Sequence, residues 1–415
     1  MRWLLWGVGL LWGQDTLHLT IAQVEARFLQ KNLLLLAQKL RIQAEQALVW
    51  QARLWPNPQL VVDQMDVFTQ AEASFDAGPF LAAPRINQIS ATLSQTLLTA
   101  GKRLKGVALA EASVRLQEAA FAELLRQLRY QLRGALYALQ RDQFLLGVLR
   151  EQVALLDRLR ARYKALSQQA LVPLPEYLRI ENLYLQVQAD LRDRYRQWEE
   201  NQHTLRTLLR FSGDTLLWID TTGFIQAQLN EALRLDSLLL LVEKRGDVRL
   251  ARETHHYQVA ALTLEKAMAF PDVTVDVTYD RLGGYRLNQW GVGFALPLPV
   301  FNRNQGRIAA ARLLVEQSQL TYEQTRLIAE SEVVRAWRQL VALQAQLREM
   351  DFALLARYRQ AEAAYRENLL AGRISFLAYV DFFQSYRDLA QKIAETFYLL
   401  HQAQNEIGYA VGMDR

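Results

Sequence analysis

The chain of 415 residues contains no cysteine, which removes disulfides, thiolate metal sites, cysteine nucleophiles and a lipid-bearing N-terminal cysteine together. Proline is scarce at nine residues and glycine modest at 19, so long stretches run without a helix breaker. After Gly13 there is no charge-free run of the ~20 apolar residues that a membrane-spanning helix needs. Even Leu33 to Leu36 is flanked by Lys31 and Lys39, so inner-membrane helices are excluded. An excess of one charge is missing as well. The 48 basic and 43 acidic residues give a net +5 and are interspersed, as on solvated helix faces, which offers little to a nucleic acid. No Ser-His-Asp order, glycine-rich phosphate loop or cluster of metal ligands stands out, which argues against an enzyme, a cofactor and a bound metal. Only His255 and His256 are neighbouring histidines, and adjacent helical residues point to different faces.

What is present is abundant apolar content, 51% of residues, enough for an extensive core. Met1-Arg2, the apolar stretch Trp3 to Trp12, then Gly13 and Gln14-Asp15 have the layout of a secretory leader over residues 1–13. A buried N-terminal helix is the competing reading. Leu19 to Arg53 has helical propensity with Thr20 as N-cap, and it stops at Pro56-Asn57-Pro58. A second helical tract runs from about Gly101 to Gln169, and a third from Glu176 to Phe211 after Pro173-Leu174-Pro175. At ~1.5 Å per residue the longest extends roughly 100 Å, and such rods need neighbours along their length.

Short segments between the helices have a period of two. Val273, Val275, Val277 and Tyr279 alternate with Asp272, Thr274, Asp276, Thr278 and Asp280, a strand with one apolar and one polar face. Trp290, Val292, Phe294, Leu296, Leu298 and Val300 alternate with Gln289, Gly291, Gly293, Ala295, Pro297 and Pro299. In the first half, Ile89, Ala91, Leu93 and Leu97 alternate with Ser90, Thr92, Ser94 and Thr96, and Leu60 to Phe68 is a weaker strand. Each is about 10 residues, the length of a tilted strand that crosses an outer membrane.

These elements occur twice. Asn87-Gln88 and Asn288-Gln289 open corresponding strands, Leu97 matches Leu298 and Lys102 matches Arg303, all 201 residues apart. Tyr163 and Tyr365 precede corresponding breaks at Leu171 to Pro175 and Ala371 to Ser375. A helix-strand-strand-helix unit therefore repeats, at residues 14–213 and 214–415. The first strand connection is the longer one, with Gly78-Pro79 and Pro84 marking a surface loop.

A sheet in lipid must pair every edge until it closes. Bacterial outer-membrane barrels have at least ~8 strands, so four strands imply further copies. Three copies, giving twelve strands, are the simplest closed solution with an aqueous lumen; the pattern does not by itself select three over two or four.

The stretch Gln51-Ala52-Arg53-Leu54-Trp55-Pro56-Asn57-Pro58-Gln59-Leu60 resembles the helix-to-strand junction of TolC-like outer membrane efflux proteins. Leu296-Pro297-Leu298-Pro299-Val300-Phe301-Asn302-Arg303-Asn304-Gln305-Gly306-Arg307-Ile308 resembles their second strand-to-helix junction. Ala371-Gly372-Arg373-Ile374-Ser375-Phe376-Leu377 is similar to their periplasmic helix-turn-helix tip. Arg245-Gly246-Asp247-Val248 resembles the Arg-Pro-Asp-Leu that opens their second repeat, with Gly246 in place of proline. The resemblance implies a mainly α fold with a small β part: long periplasmic helices forming an α-barrel, and four strands per chain in a 12-stranded barrel of a homotrimer. It implies an outer-membrane exit channel of a Gram-negative cell, in contact with membrane lipid, a periplasmic adaptor and, through the adaptor, an inner-membrane pump. The Leu-Pro-Leu-Pro-Val-Phe-Asn-Arg-Asn-Gln-Gly run is more similar to the heavy-metal cation efflux subgroup than to enteric TolC.

The same resemblance places an adaptor-contacting tip at Gly372, Arg373 and Ser375, with Val172 and Pro173 in the first repeat; a helix C-cap without a partner is the competing reading. Asp381, with Arg373, falls at the periplasmic entrance, but the companion acidic position is Ala378, and an ordinary solvated carboxylate competes with a constricting ring. Asp272, Asp276 and Asp280 share the polar face of their strand, which in a barrel is the lumen; Asp272 and Asp280 alternatively mark the strand ends. Tyr279, Trp290 and Phe301 form an interfacial aromatic belt or pack on a soluble partner sheet. The rival function is a soluble periplasmic coiled-coil adaptor, against which the duplication of the helix-strand unit counts.

Overall fold

A computed structural model describes residues 16–67, 86–221, 223–225, 234–282, 287–351 and 353–412. The leader at residues 1–13 and the loop bearing Gly78, Pro79 and Pro84 lie outside the described residues. The elements in chain order are β1 (Thr16–Leu19), α1 (Ile21–Lys31), α2 (Leu33–Arg53), β2 (Gln59–Val67), β3 (Ile86–Leu97), α3 (Lys102–Gln168), α4 (Leu174–Leu209) and β4 (Leu216–Ile219). They continue with α5 (Leu235–Leu239), α6 (Gly246–Met268), β5 (Val273–Leu282), β6 (Leu287–Ala295), α7 (Gln305–Arg348), α8 (Ala353–Leu370) and α9 (Phe376–Val411). Among the described residues no helix is long and apolar enough to cross a membrane.

The chain divides into two compact units, each drawing on both repeats. The first comprises residues 1–39, 121–248 and 326–415. Its helix α1 starts where expected, because Thr20 and Gln23 cap each other reciprocally, at 2.9 and 3.3 Å. The helix expected to run on to Arg53 instead stops at Asn32. Asn32 turns its amide nitrogen to the Leu208 carbonyl, 3.0 Å away, and its Oδ1 accepts from the amides of Leu34 and Leu35. One side chain thus ends α1, caps α2 and ties both to the end of α4. The short parallel pair β1 and β4 was not expected from the sequence.

Two apolar clusters hold this unit together. Val24 and Phe28 of α1 lie four apart on one face and pack with Leu132, Leu136 and Leu139 of α3, Leu205 and Leu209 of α4, and Leu217 and Ile219 of β4. Each such side chain, fully buried, contributes about 1.5–3 kcal/mol. A second cluster joins Leu156 and Leu159 of α3, Ile180, Leu183 and Val187 of α4, and Phe376, Tyr379 and Phe383 of α9.

The second unit, residues 40–120 and 249–325, is built around an antiparallel sheet in the order β2-β3-β5-β6. Two hairpins, β2-β3 and β5-β6, meet at the β3-β5 seam. The alternation expected from Trp290 to Val300 ends early, at Ala295. Pro297 and Pro299 have no N–H to give a ladder, and the segment leaves the sheet. Phe301 accordingly lies outside the strands and is 91% exposed.

Candidate functional site

In the sheet, the pleat sorts residues by register. Ser90, Thr92, Ser94 and Thr96 of β3 stand opposite Asp280, Thr278, Asp276 and Thr274 of β5. Hydroxyl pairs link Thr92 to Thr278 at 3.2 Å and Thr96 to Thr274 at 3.4 Å, so this face is polar and hydrogen-bonded across the seam. On the other face Val275, Val277 and Tyr279 stand opposite Phe294, Val292 and Trp290. Trp290 is 74% and Phe294 75% exposed, a greasy surface that the chain itself leaves open. The Tyr279 and Trp290 rings lie 5.0 Å apart, and the Tyr279 hydroxyl donates to Asn288 Oδ1.

The three aspartates separate. Asp276 and Asp280 lie within β5, opposite Gly293 and Gln289 of β6. One carboxylate oxygen of Asp280 is enclosed without a hydrogen-bond partner among the described residues. Asp272 stands one residue before β5 and is bound: Lys102 Nζ lies 2.7 Å from its Oδ1, and the Thr99 amide donates to the same oxygen at 2.9 Å. Lys102, whose side chain is only 5% exposed, opens α3. The ion pair therefore pins the first repeat's strand-to-helix junction to the start of the second repeat's strand.

In the first unit, two helical hairpins turn in the same way. At the second-repeat break, Gly372 has φ +71° and the Arg373 amide reaches back to the Asn368 carbonyl at 2.8 Å, a Schellman closure of α8. Ser375 then caps α9, its hydroxyl accepting from the Ala378 amide at 3.2 Å. At the first-repeat break Ala170, with φ 60°, takes the glycine's role, and the Leu171 amide reaches the Leu166 carbonyl at 3.0 Å. Pro173 is the N-cap of α4, which starts at Leu174 rather than at Glu176. Ala170 and Gly372 are 202 residues apart, as are Pro173 and Ser375, so one turn occurs twice.

At the tips Pro173, Gly372, Arg373 and Ser375 are exposed. Arg373 makes a single long contact to Asn368 Oδ1 at 3.4 Å, and Val172 is half-buried. Asp381 is an exposed residue of α9 whose backbone carbonyl accepts from Ser385; no ion pair joins it to Arg373 among the described residues. The sequence reading passed over a set of large apolar residues that also remain open here: Leu171, Leu174, Leu178 and Leu377. For Leu171 and Leu174 the signal was available, since a leucine within two residues of a turn proline has no local core to enter.

Elsewhere in the first unit, the Arg245-Gly246-Asp247 motif joins a charge network whose other members the sequence does not point to. Arg245, 1% exposed, contacts Asp247 at 2.6 Å and Glu332 at 2.7 Å and donates to the Ala410 carbonyl at 2.9 Å. Arg126 contacts Asp247 at 3.3 Å, forks onto Glu123 at 2.8 and 2.9 Å and donates to the Tyr409 carbonyl. Burial pushes the Asp247 carboxyl up, but Arg245 and Arg126 outweigh it and hold the group below the usual carboxylate range. Gly246 fits between: a Cβ there would stand 2.8 Å from the Glu123 Cα. Farther along α3 in the same unit, a separate cavity of about 290 Å³ is lined by Glu151, Gln152, Arg158, Arg359, Glu362 and Arg366 among others.

Among the described residues no three His, Asp or Glu side chains gather as metal ligands. His255 bonds to Ser318 Oγ at 3.0 Å and His256 faces Glu253 at 3.4 Å.

No family model matches the chain. Over 122 residues it is 28% identical to the cobalt-zinc-cadmium resistance protein CzcC of Cupriavidus metallidurans, a match that spans 29% of each chain. Among solved structures it is similar to CusC, whose crystal structures concern folding and transmembrane channel formation, with a TM-score of 0.71 at 16% identity over 96% of this chain and 94% of that one. It is likewise similar to the CmeC outer membrane channel of Campylobacter jejuni, with a TM-score of 0.72 at 14% identity over 94% and 85% of the chains. The outer membrane protein VceC of Vibrio cholerae gives 0.69 at 17% identity over 94% and 96%. From its first described strand to the end of α9, the chain has the TolC-like channel fold.

Proposed function

We propose that this chain is the outer-membrane exit channel of a tripartite efflux system, a passive conduit and not an enzyme. The observation that carries the reading is the sheet β2-β3-β5-β6: one face is hydroxyl- and carboxylate-lined, the other greasy and open, and both edges end unpaired among the described residues. Water does not tolerate the open greasy face, and lipid does not tolerate the open edges. Three copies sharing one 12-stranded ring satisfy both, with the greasy face in lipid and Asp276 and Asp280 toward a cation-tolerant lumen; Asp272 is spoken for by Lys102.

In this reading the two hairpin turns meet a periplasmic adaptor, which connects the channel to an inner-membrane pump. Arg373 offers an exposed cation, and Gly372 and Ser375 set the turn that presents it. Val172, Pro173 and the exposed leucines give the apolar part of the contact. Asp381 adds negative charge at the periplasmic entrance. The partial likeness to CzcC favours metal cations as the cargo.

Fractionation tests the reading. The mature chain is expected in the outer-membrane fraction, released by detergent and not by salt or osmotic shock. Recovery in the soluble periplasm overturns it in favour of an adaptor-like protein.

A further inference from the structure

The sheet's two hairpins are related by one operation. The ladders pair Gln59 with Ser94 in the first and Thr274 with Ala295 in the second. Ser94 and Ala295 are separated by the same 201 residues as Asn87 and Asn288. The ladders then make Gln59 equivalent to Thr274, 215 residues on, which is also the separation of Pro56 and Pro271. Hydrogen-bond register and sequence landmarks, read separately, agree.

The seam inside the chain joins β3 of the first hairpin to β5 of the second, with Leu93 opposite Val277 and Ser94 opposite Asp276. Applied to this seam, the operation carries β3 onto β6 and β5 back onto β2, the two edges of the sheet. We propose that a second copy of this chain adds its β2 antiparallel to β6 in that one register. Ala295 then lies opposite Val61 of the neighbouring copy, Phe294 opposite Val62, Gly293 opposite Asp63, and Leu296 opposite Leu60. The inference rests on the channel reading, and it names the surface and register by which the copies join.

An independent check comes from the faces. Phe294 belongs to the greasy face with Val275, and Val62, opposite Ala91, belongs to the same face of the first hairpin; Phe294 is 75% and Val62 61% exposed. The proposed pairing sets these two side by side. A slip of one residue would set every greasy side chain of one strand against the polar face of the other. Beyond Leu60, the ladder meets Pro58 on one side and Pro297 on the other, neither of which can donate, so the pairing ends where both strands change character. The seam between copies also differs from the internal one. Asn57 takes the place of Asp272, so the partner of Lys102 has no charged counterpart, and the register there is set by the pleat and the prolines.

Because the chain has no cysteine, disulfide trapping in full-length protein in membranes reads the register directly. Val61→Cys with Ala295→Cys, oxidised and run without reductant, is expected to give covalent trimer as the main product, lost on reduction. Gly293→Cys with Asp63→Cys must do the same, which guards against one pair misfolding. A bond within one copy is excluded, since β2 and β6 are three strand spacings of ~4.8 Å apart and a disulfide needs Cα atoms within ~7 Å. Val61→Cys with Gly293→Cys, and Asp63→Cys with Ala295→Cys, each shift the register by two residues and are expected to stay monomeric. If a shifted pair traps while the first two do not, the register is overturned and the channel reading stands. If no pair traps while a lysine-directed crosslinker yields trimer, the register is again overturned. If neither chemistry yields more than monomer, the channel reading falls and the register with it.

Discussion

Gly246 illustrates how one residue sets the packing of the first unit. The motif that this stretch resembles has proline at this position, yet here the Glu123 backbone approaches so closely that any Cβ would sit 2.8 Å from its Cα. Around it, the buried side chains of Arg245, Arg126 and Glu123 meet the partly exposed Asp247 and Glu332, and Arg245 spends every donor group on carboxylates and carbonyls. Such a cluster is costly to leave half-made. Gly246→Ala is therefore expected to lose about 1–3 kcal/mol through overpacking, read as a lower midpoint in chemical unfolding of the purified protein. An unchanged midpoint would mean that Glu123 moves away freely. Arg245 and Asp247 were visible in the sequence as a motif, but their partners Glu332 and Ala410 come from elements far along the chain, where no local pattern points.

At the level of elements, the strands were legible and some helix ends were not. Period-two alternation marks β3, β5 and β6 because their two faces meet different surroundings, and that difference is written into alternate residues. The prolines at 297 and 299 gave the correct end, which the alternation of apolar residues through Val300 obscured. The break at Asn32 was hidden, since an asparagine amid leucines and lysines leaves helical propensity high until the Leu208 carbonyl is brought to it. The strands β1 and β4 are four residues each and pair in parallel across some 200 residues of chain, too short to show a period. At the tips, Gly372 announced its turn, whereas Ala170 adopts the same left-handed conformation with no glycine to announce it. The tips carry their own prediction. Arg373 forms no ion pair among the described residues and only one long hydrogen bond, so Arg373→Glu is expected to leave assembly intact while reducing efflux in cells that supply adaptor and pump. Efflux at the parental level would remove Arg373 from the contact.

For the whole molecule, the duplication is the organising fact. The sequence offsets of 201 between strands and 202 between tips reappear as matched ladders and matched turns. One detail shifts: α3 opens at Lys102 and α7 at Gln305, 203 apart, two more than the strand offset. The proposed repeats follow one another along the chain, while each of the two compact units draws on both halves: in the sheet, the hairpins of the two halves meet through the β3-β5 ladder.

The most direct measurement is single-channel conductance of the detergent-purified protein in a planar lipid bilayer. Discrete, uniform steps that favour cations, with the preference weakened by Asp276→Asn and Asp280→Asn, are the expected result. A protein that reaches the bilayer as a stable oligomer and passes no current under any applied voltage, in a tip-truncated variant as well as in the intact chain, would contradict a continuous water-filled passage.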